Sequence, residues 1–246
     1  MMQTLTGYII RTQDYRETHK LVTILTKEVG KITAIARGAN KPNSRMVAIT
    51  QPFVYGHFLV YVSQGLSTLN QGEIIDANRN VREDIYKTTY ASFLAELTWK
   101  TLADKEPHPY IYRQFKHTIK WINENDEAMI PLIMYELKLY EVAGISPIVN
   151  ECVLCGENEN LMVFSIAEGG VLCHKCQSKD EHLIKLSKTL IKLLQTFTEI
   201  GIERIGSISV KKENTERLRF LLDEYYNVYG GYPLKTKNVL KQLHLL

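Results

Sequence analysis

No cysteine lies outside residues 152–176, and no Asp or Glu occurs between Val29 and Gly72. The sequence also lacks any uninterrupted apolar run near the roughly 20 residues of a membrane span. Its start, Met1-Met-Gln-Thr-Leu5, has neither the charged nor the apolar region of a signal peptide. There is no Walker-type phosphate loop and no triad-like motif, and Glu17 precedes His19, the reverse of the His-x-Glu order that zinc deaminases need. These absences argue against a membrane protein, an exported protein and an enzyme, and no catalytic residue is assigned. With cysteines only at metal-like spacing, the chain is expected in a reducing cytoplasm.

What cysteine there is comes as Cys152-Val-Leu-Cys155-Gly156 and Cys173-His-Lys-Cys176, with seventeen residues between Cys155 and Cys173. Two thiolate pairs at this spacing suit one tetrahedral zinc ion, and four sulfurs close its shell, so the expected role is structural. Leu161–Ile166 reads as a strand, Ala167–Gly170 as a turn and Val171-Leu172 as a return strand, so a hairpin brings the pairs together in a zinc-ribbon-like module. Two redox disulfides or four unrelated buried thiols are the alternatives; neither accounts for all four cysteines falling in one short window. His174 reads as an exposed turn residue, and an open metal site with fewer than four sulfurs would be the enzymatic alternative.

The net charge of +3 hides an asymmetry. Residues 1–50 hold eight Lys or Arg against Asp14, Glu17 and Glu28, a balance of +5, which leaves 22 basic against 24 acidic residues elsewhere, or −2. Spaced cations in an acid-free stretch, with Gly38, Asn40, Pro42 and Ser44 among them as in a loop, point to a surface for phosphates. An ordinary solvated face is the plain alternative.

Along the chain, five short segments rich in β-branched and aromatic residues fall within Gln3–Asp76: Gln3–Arg11, Leu21–Thr26, Lys31–Arg37, Phe53–Ser63 and Ser67–Asp76. With a loop over Gly38–Thr50 and no helix among them, they fit a small closed barrel such as an OB-fold. From Val81 the period becomes helical. Tyr86, Tyr90, Phe93, Leu94 and Leu97 share one face, as do Ile111, Phe115, Ile119 and Ile122, and a third helix begins around Pro131 and is apolar nearly all round. Ser187 and Gly201 bracket another helix, Leu218–Tyr229 gives one more that stops at Gly230-Gly231, and the tail from Leu234 suits a short amphipathic helix. The fold class expected is α+β: an OB-fold over 1–80, a helical domain over 81–150 and 179–246, and a four-cysteine zinc module inserted at 151–178.

Arg11-x-x-x-Tyr15-x-Glu17, Leu21–Thr26, Gly30-Lys31 and Ala36-Arg37-Gly38-Ala39-x-Lys41-Pro42-x-Ser44-Arg45 stand in an order that resembles the N-terminal signature of the bacterial RecO family. The likeness continues through Tyr140-Glu-x-x-Gly144 and Pro147 to Cys152-x-Leu-Cys155-Gly156. Where relatives carry a Leu-Lys-Ser-Arg type sequence this chain reads Leu234-Lys-Thr-Lys237, which keeps the charge and loses the guanidinium fork. The resemblance implies a cytoplasmic, nucleoid-associated mediator of DNA repair and recombination. Such proteins bind single- and double-stranded DNA, anneal complementary strands without ATP, and work with RecR to load RecA onto strands coated by single-strand-binding protein (SSB).

Taken together, Lys31, Arg37, Lys41 and Arg45, supported by Arg11 and Lys20, are expected to hold phosphates, and Cys152, Cys155, Cys173 and Cys176 one structural zinc ion. The competing reading is an adaptor acting chiefly through contacts with RecR and the acidic, apolar C-terminal tail of SSB, with DNA binding secondary.

Overall fold

A computed structural model describes residues 1–177, 183–206 and 210–243. The chain forms two compact units, residues 1–128 with 234–246, and residues 129–233. The expected end of the cysteine module, at 178, lies outside the described residues.

The first unit is built on a closed five-stranded barrel. Its strands are β1 (Met2–Tyr15), β2 (His19–Thr26), β3 (Gly30–Ala36), β4 (Tyr55–Tyr61) and β5 (Ser67–Asp76), in the order β1-β2-β3-β5-β4. Only β3 and β5 pair in parallel, and β4 returns to β1 to close the ring, which is the OB-fold arrangement. Alternation along the strands sends Val22, Ile24, Ile32, Ala34, Ala36, Phe58 and Val60 inward, where they are buried. A strand as long as β1 can serve both β2 and β4 because its register slips between Ile9 and Arg11.

The segment Gly38–Thr50, expected to be loop throughout, contains a short helix, α1 (Arg45–Ile49). Ser44 starts it, with Oγ accepting from the Met46 amide at 3.2 Å, and Ile49 at its end is buried in the barrel core. The helix therefore plugs the barrel. Two inward-facing apolar residues, Met46 and Ile49, in a five-residue helix give too little periodicity to be read as one.

Three further helices, α2 (Arg79–Glu83), α3 (Ile85–Thr101) and α4 (Pro109–Glu124), follow the barrel. Asp84 caps α3 by accepting from the Lys87 amide, and Pro109 occupies the first turn of α4, where a missing N–H costs nothing. Their stripes pack on the barrel as well as on each other. Tyr8 of β1 stacks on Tyr55 at 4.6 Å and meets Phe115 of α4 edge-on at 5.4 Å. Gly30 sits at φ +75° so close to the segment after α3 that a Cβ would lie 2.1 Å from the Glu106 carbonyl oxygen.

A last helix, α8 (Lys235–Leu243), also belongs to this unit. The Glu96 carboxylate of α3 receives the Lys235 and Thr236 amides and the Thr236 hydroxyl at 3.2, 2.9 and 2.6 Å, so one side chain satisfies the start of another helix.

The second unit holds helices α5 (Met129–Val142), α6 (Lys188–Glu199) and α7 (Lys212–Tyr229) and a three-stranded sheet of β6 (Leu161–Ser165), β7 (Gly170–Cys173) and β8 (Leu183–Lys185) in the order β7-β6-β8. As its all-round apolar sequence suggests, α5 is central, with Leu132 to Tyr140 buried. It also buries Glu136, which takes a two-pronged contact from Arg219 of α7 at 2.5 and 3.0 Å and a hydrogen bond from the Tyr140 hydroxyl. Arg219 reaches Asp223 too, at 2.9 Å. Burial alone would lower the guanidinium pKa; Glu136 first and Asp223 after it reverse that and hold it more firmly protonated.

The helices expected to share one domain are thus divided. Those before Ala128 and α8 go with the barrel, α3 and α4 packing on its outer surface and α8 on α3, and α5 to α7 enclose the cysteine sheet. A stripe shows that a helix has a buried face without showing what covers it. No described helix is long and apolar enough to cross a membrane.

Candidate functional site

The four cysteines meet in the second unit. Gly156, at φ +74°, turns the chain back so that its amide donates to the Cys152 carbonyl at 2.8 Å, and the Cys152 amide donates to Glu157 at 2.7 Å. A matching turn joins the Cys176 amide to the Cys173 carbonyl at 3.1 Å. The β6–β7 hairpin brings the two turns together, with Val153 donating to Val171 at 3.0 Å. All four thiols are free, and their Sγ atoms lie within 4.8 Å of one another, Cys155 and Cys173 at 3.7 Å. Ligands at about 2.3 Å around a tetrahedral zinc would stand roughly 3.8 Å apart, so the donor set fits such an ion. His174 is exposed in the turn and outside the cluster.

The thiols also differ among themselves. Burial raises the Cys152 thiol, but backbone amides of Cys173, Leu154 and Cys155 donate to it and bring it down to about 6. Cys176 is pushed up to about 12, first by its hydrogen bond with Cys155 and then by burial. Four sulfurs this close cannot all carry charge unaided, and a dication bound between them would supply the compensating charge. The cluster is braced from both sides: Gln195 of α6 donates to Val149 ahead of Cys152 at 2.9 Å, and the Tyr229 hydroxyl of α7 meets the Ile166 and Ala167 carbonyls of the hairpin turn at 2.9 Å each.

The sequence-predicted cations belong to the first unit, and they do not stand together. Lys20 and Lys41 line one open concavity of about 550 Å³, with Asn40, Asn43 and Ser44 between them and no acidic residue in its wall. Arg37 and Arg45 are exposed on either side of this loop in sequence. Among the described residues none of these four cations is in an ion pair. Arg11 lies elsewhere on β1, its guanidinium stacked 4.0 Å over the Trp99 ring and donating to Gln13 at 3.2 Å.

Lys31 is a different kind of residue. Its side chain is only 8% exposed, and Nζ lies 2.7 Å from the Trp99 carbonyl oxygen and 3.2 Å from Asp104. It satisfies one of the open carbonyls at the C-terminus of α3 and faces the interior of the unit. Lys237 is also buried.

Sequence reasoning missed the lacing that shapes the basic loop. The Asn40 amide donates to the Thr18 carbonyl at 3.0 Å, its side chain donates to Asp14 at 2.9 Å, and the Gly38 amide donates to His19 Nδ1 at 3.2 Å. Asn in a Gly/Pro/Ser-rich loop signals a turn, but nothing in the sequence names its partners.

Two family profiles cover this architecture. The one described as Recombination protein O N terminal matches residues 1–78, and the one described as Recombination protein O C terminal matches residues 82–238. The chain belongs to the RecO family. A DNA repair protein RecO from Oceanobacillus iheyensis is 51% identical over 243 residues, spanning 99% of this chain and 94% of the relative. Those from Bacillus pumilus and Bacillus mycoides are 42% and 40% identical and span 96% and 99% of this chain. The RecO likeness therefore extends over the barrel and the cysteine unit alike, and the function to be explained is that of a RecO-family DNA repair protein.

Proposed function

We propose that this protein binds single- and double-stranded DNA through the basic loop of its barrel and anneals complementary strands without ATP. With RecR it helps load RecA onto SSB-coated single strands. The observation that carries this reading is the acid-free concavity holding Lys20 and Lys41, flanked in sequence by exposed Arg37 and Arg45, none of the four having a carboxylate partner among the described residues. Cations that no acid among the described residues neutralises are available to phosphates, and two strands neutralised at one surface repel each other less. Pairing then follows from the bases. No catalytic residue is needed.

Four phosphate contacts on a single strand, at a slope of about −0.7 each, weaken binding roughly fiftyfold between about 50 and 200 mM salt. Arg11, held over Trp99 elsewhere on β1, offers longer strands a further cation. Lys31 supports the fold instead.

The cysteine cluster holds one zinc ion in a closed shell of Cys152, Cys155, Cys173 and Cys176. The ion's contribution there is to stabilise the local fold, as closed four-sulfur sites do. Partners in this reading are DNA, RecR and the C-terminal tail of SSB, with RecA engaged indirectly, in the nucleoid region of the cytoplasm.

The test is strand annealing on SSB-coated oligonucleotides without ATP, comparing the intact chain with a Lys20→Ala, Arg37→Ala, Lys41→Ala, Arg45→Ala variant. Annealing by the intact chain and its loss in the variant are expected. Equal annealing by both would remove the basic loop from the mechanism.

A further inference from the structure

The turn between β1 and β2 is tied to the basic loop after β3 by backbone and side-chain bonds, and one of them fixes a tautomer. The Gly38 amide can only donate, so His19 Nδ1, 3.2 Å away, is an acceptor and the ring proton sits on Nε2. Thr18 Oγ1 lies 3.1 Å from the same Nδ1 and, with that tautomer, its hydroxyl shares the single lone pair with the Gly38 amide. The ring is held from its own turn by Thr18 and in turn holds the residue that follows Arg37. Apart from this tie, those of Asn40 and the burial of Ala39 in the barrel core, the loop's bonds among the described residues are local: Lys41 to Gly38 at 3.1 Å and Ser44 to Lys41 at 3.2 Å. Local turns alone leave a loop with many conformations.

We propose that His19 is a positioning residue for phosphate binding: it presets the segment from Arg37 to Arg45 in its binding shape without touching a phosphate itself. The inference rests on the basic loop being the phosphate surface. A loop ordered in advance loses less conformational freedom when a strand arrives, so its cations bind more tightly although no contact is added.

Asparagine at position 19 provides the discriminating variant, because its Oδ1 stands as far from the backbone as Nδ1 and also accepts. Binding of the full chain to a fluorescent oligo-dT strand is measured by anisotropy at several salt concentrations. Exchange of the Gly38 amide is followed with glycine-selective 15N labelling.

His19→Ala is expected to weaken binding about fivefold, the equivalent of one net hydrogen bond. The salt slope should stay unchanged while Gly38 exchange accelerates. His19→Asn should restore both affinity and protection. The proposal is overturned if His19→Asn is as weak as His19→Ala, if the salt slope falls by about 0.7, which would make His19 a phosphate contact, or if Gly38 exchanges alike in the wild type and His19→Ala. An Arg37→Ala, Lys41→Ala variant that binds like the wild type would overturn the phosphate reading and the role of His19 with it. That result is told apart from failure of the tie alone, in which this double variant binds weakly and Gly38 exchange ignores residue 19.

Discussion

Lys31 Nζ reaches the carbonyl oxygen of Trp99 at 2.7 Å, across 68 positions of sequence, and so joins β3 of the barrel to the end of α3. A cation placed there meets both an open helix carbonyl and the negative end of the helix dipole. Lys31→Ala should cost about 1.5–3 kcal/mol of stability, the range for hydrogen bonds to charged groups. It should leave the salt slope of DNA binding unchanged. Urea unfolding and anisotropy titrations on the same variant check the two halves.

Arg37 and Lys41 should behave in the opposite way. Both are exposed and outside any ion pair among the described residues, so replacing both with alanine should shift stability by less than about 0.5 kcal/mol. The single-strand salt slope should become shallower by about 1.4, two phosphate contacts at about 0.7 each. An unchanged slope would mean that neither residue touches a phosphate.

Metal removal should act on the second unit. The Cys152→Ala, Cys155→Ala variant loses half of the donor set, and with it a binding free energy that for structural zinc in finger peptides is on the order of 10 kcal/mol. Hydrogen exchange is expected to rise in β6, β7 and the start of α6, with zinc content falling from one ion to none. A variant that stays protected and zinc-free would show that the tyrosine and glutamine braces suffice.

Glu136 and Arg219 form a buried pair, side chains 1% and 9% exposed. Arg219→Ala leaves Glu136 and Asp223 without their shared cation and should cost about 3–5 kcal/mol. Glu136→Ala with Arg219→Ala should cost clearly less than the sum of the two single changes, because the second removes a charge that the first stranded. Urea midpoints of the three variants decide this; simple additivity would show the pair to be uncoupled.

The alkaline limb of stability should be steep. Burial first, then Glu127, Tyr86 and Asp84, pushes the Tyr90 phenol up to about 12, and burial raises Tyr8, Tyr112, Tyr140 and Tyr225 as well. Phenols near 10 in the unfolded chain and higher in the folded one stabilise the fold fully below about pH 10. That contribution is lost as pH rises through the folded values. Urea midpoints should therefore fall above about pH 10, and Tyr90→Phe should make the fall shallower.

Much of this was legible in the sequence because it depends on local chemistry. The inward alternation of Ile32, Ala34 and Ala36, the Ser187 cap, the all-round apolar α5 and the Cys-x-x-Cys-Gly turn all leave marks within a few residues. The site cysteines were readable for the same reason. The cations were only half readable. Lys31 alternates with buried residues as a solvent-facing lysine would, and its burial depends on α3 folding over it. The third strand β8 and the division of the helices between units likewise rest on distant partners.

Glu96 and the start of α8 also bear on the order of events at the ribosome. Domains are generally completed from the N-terminus onward. Here the barrel unit needs residues from 234 onward, which are synthesised after the whole of the second unit. The cysteine unit can thus close while α3 still lacks its last neighbour, and the earliest-made part of the protein is the last to be finished.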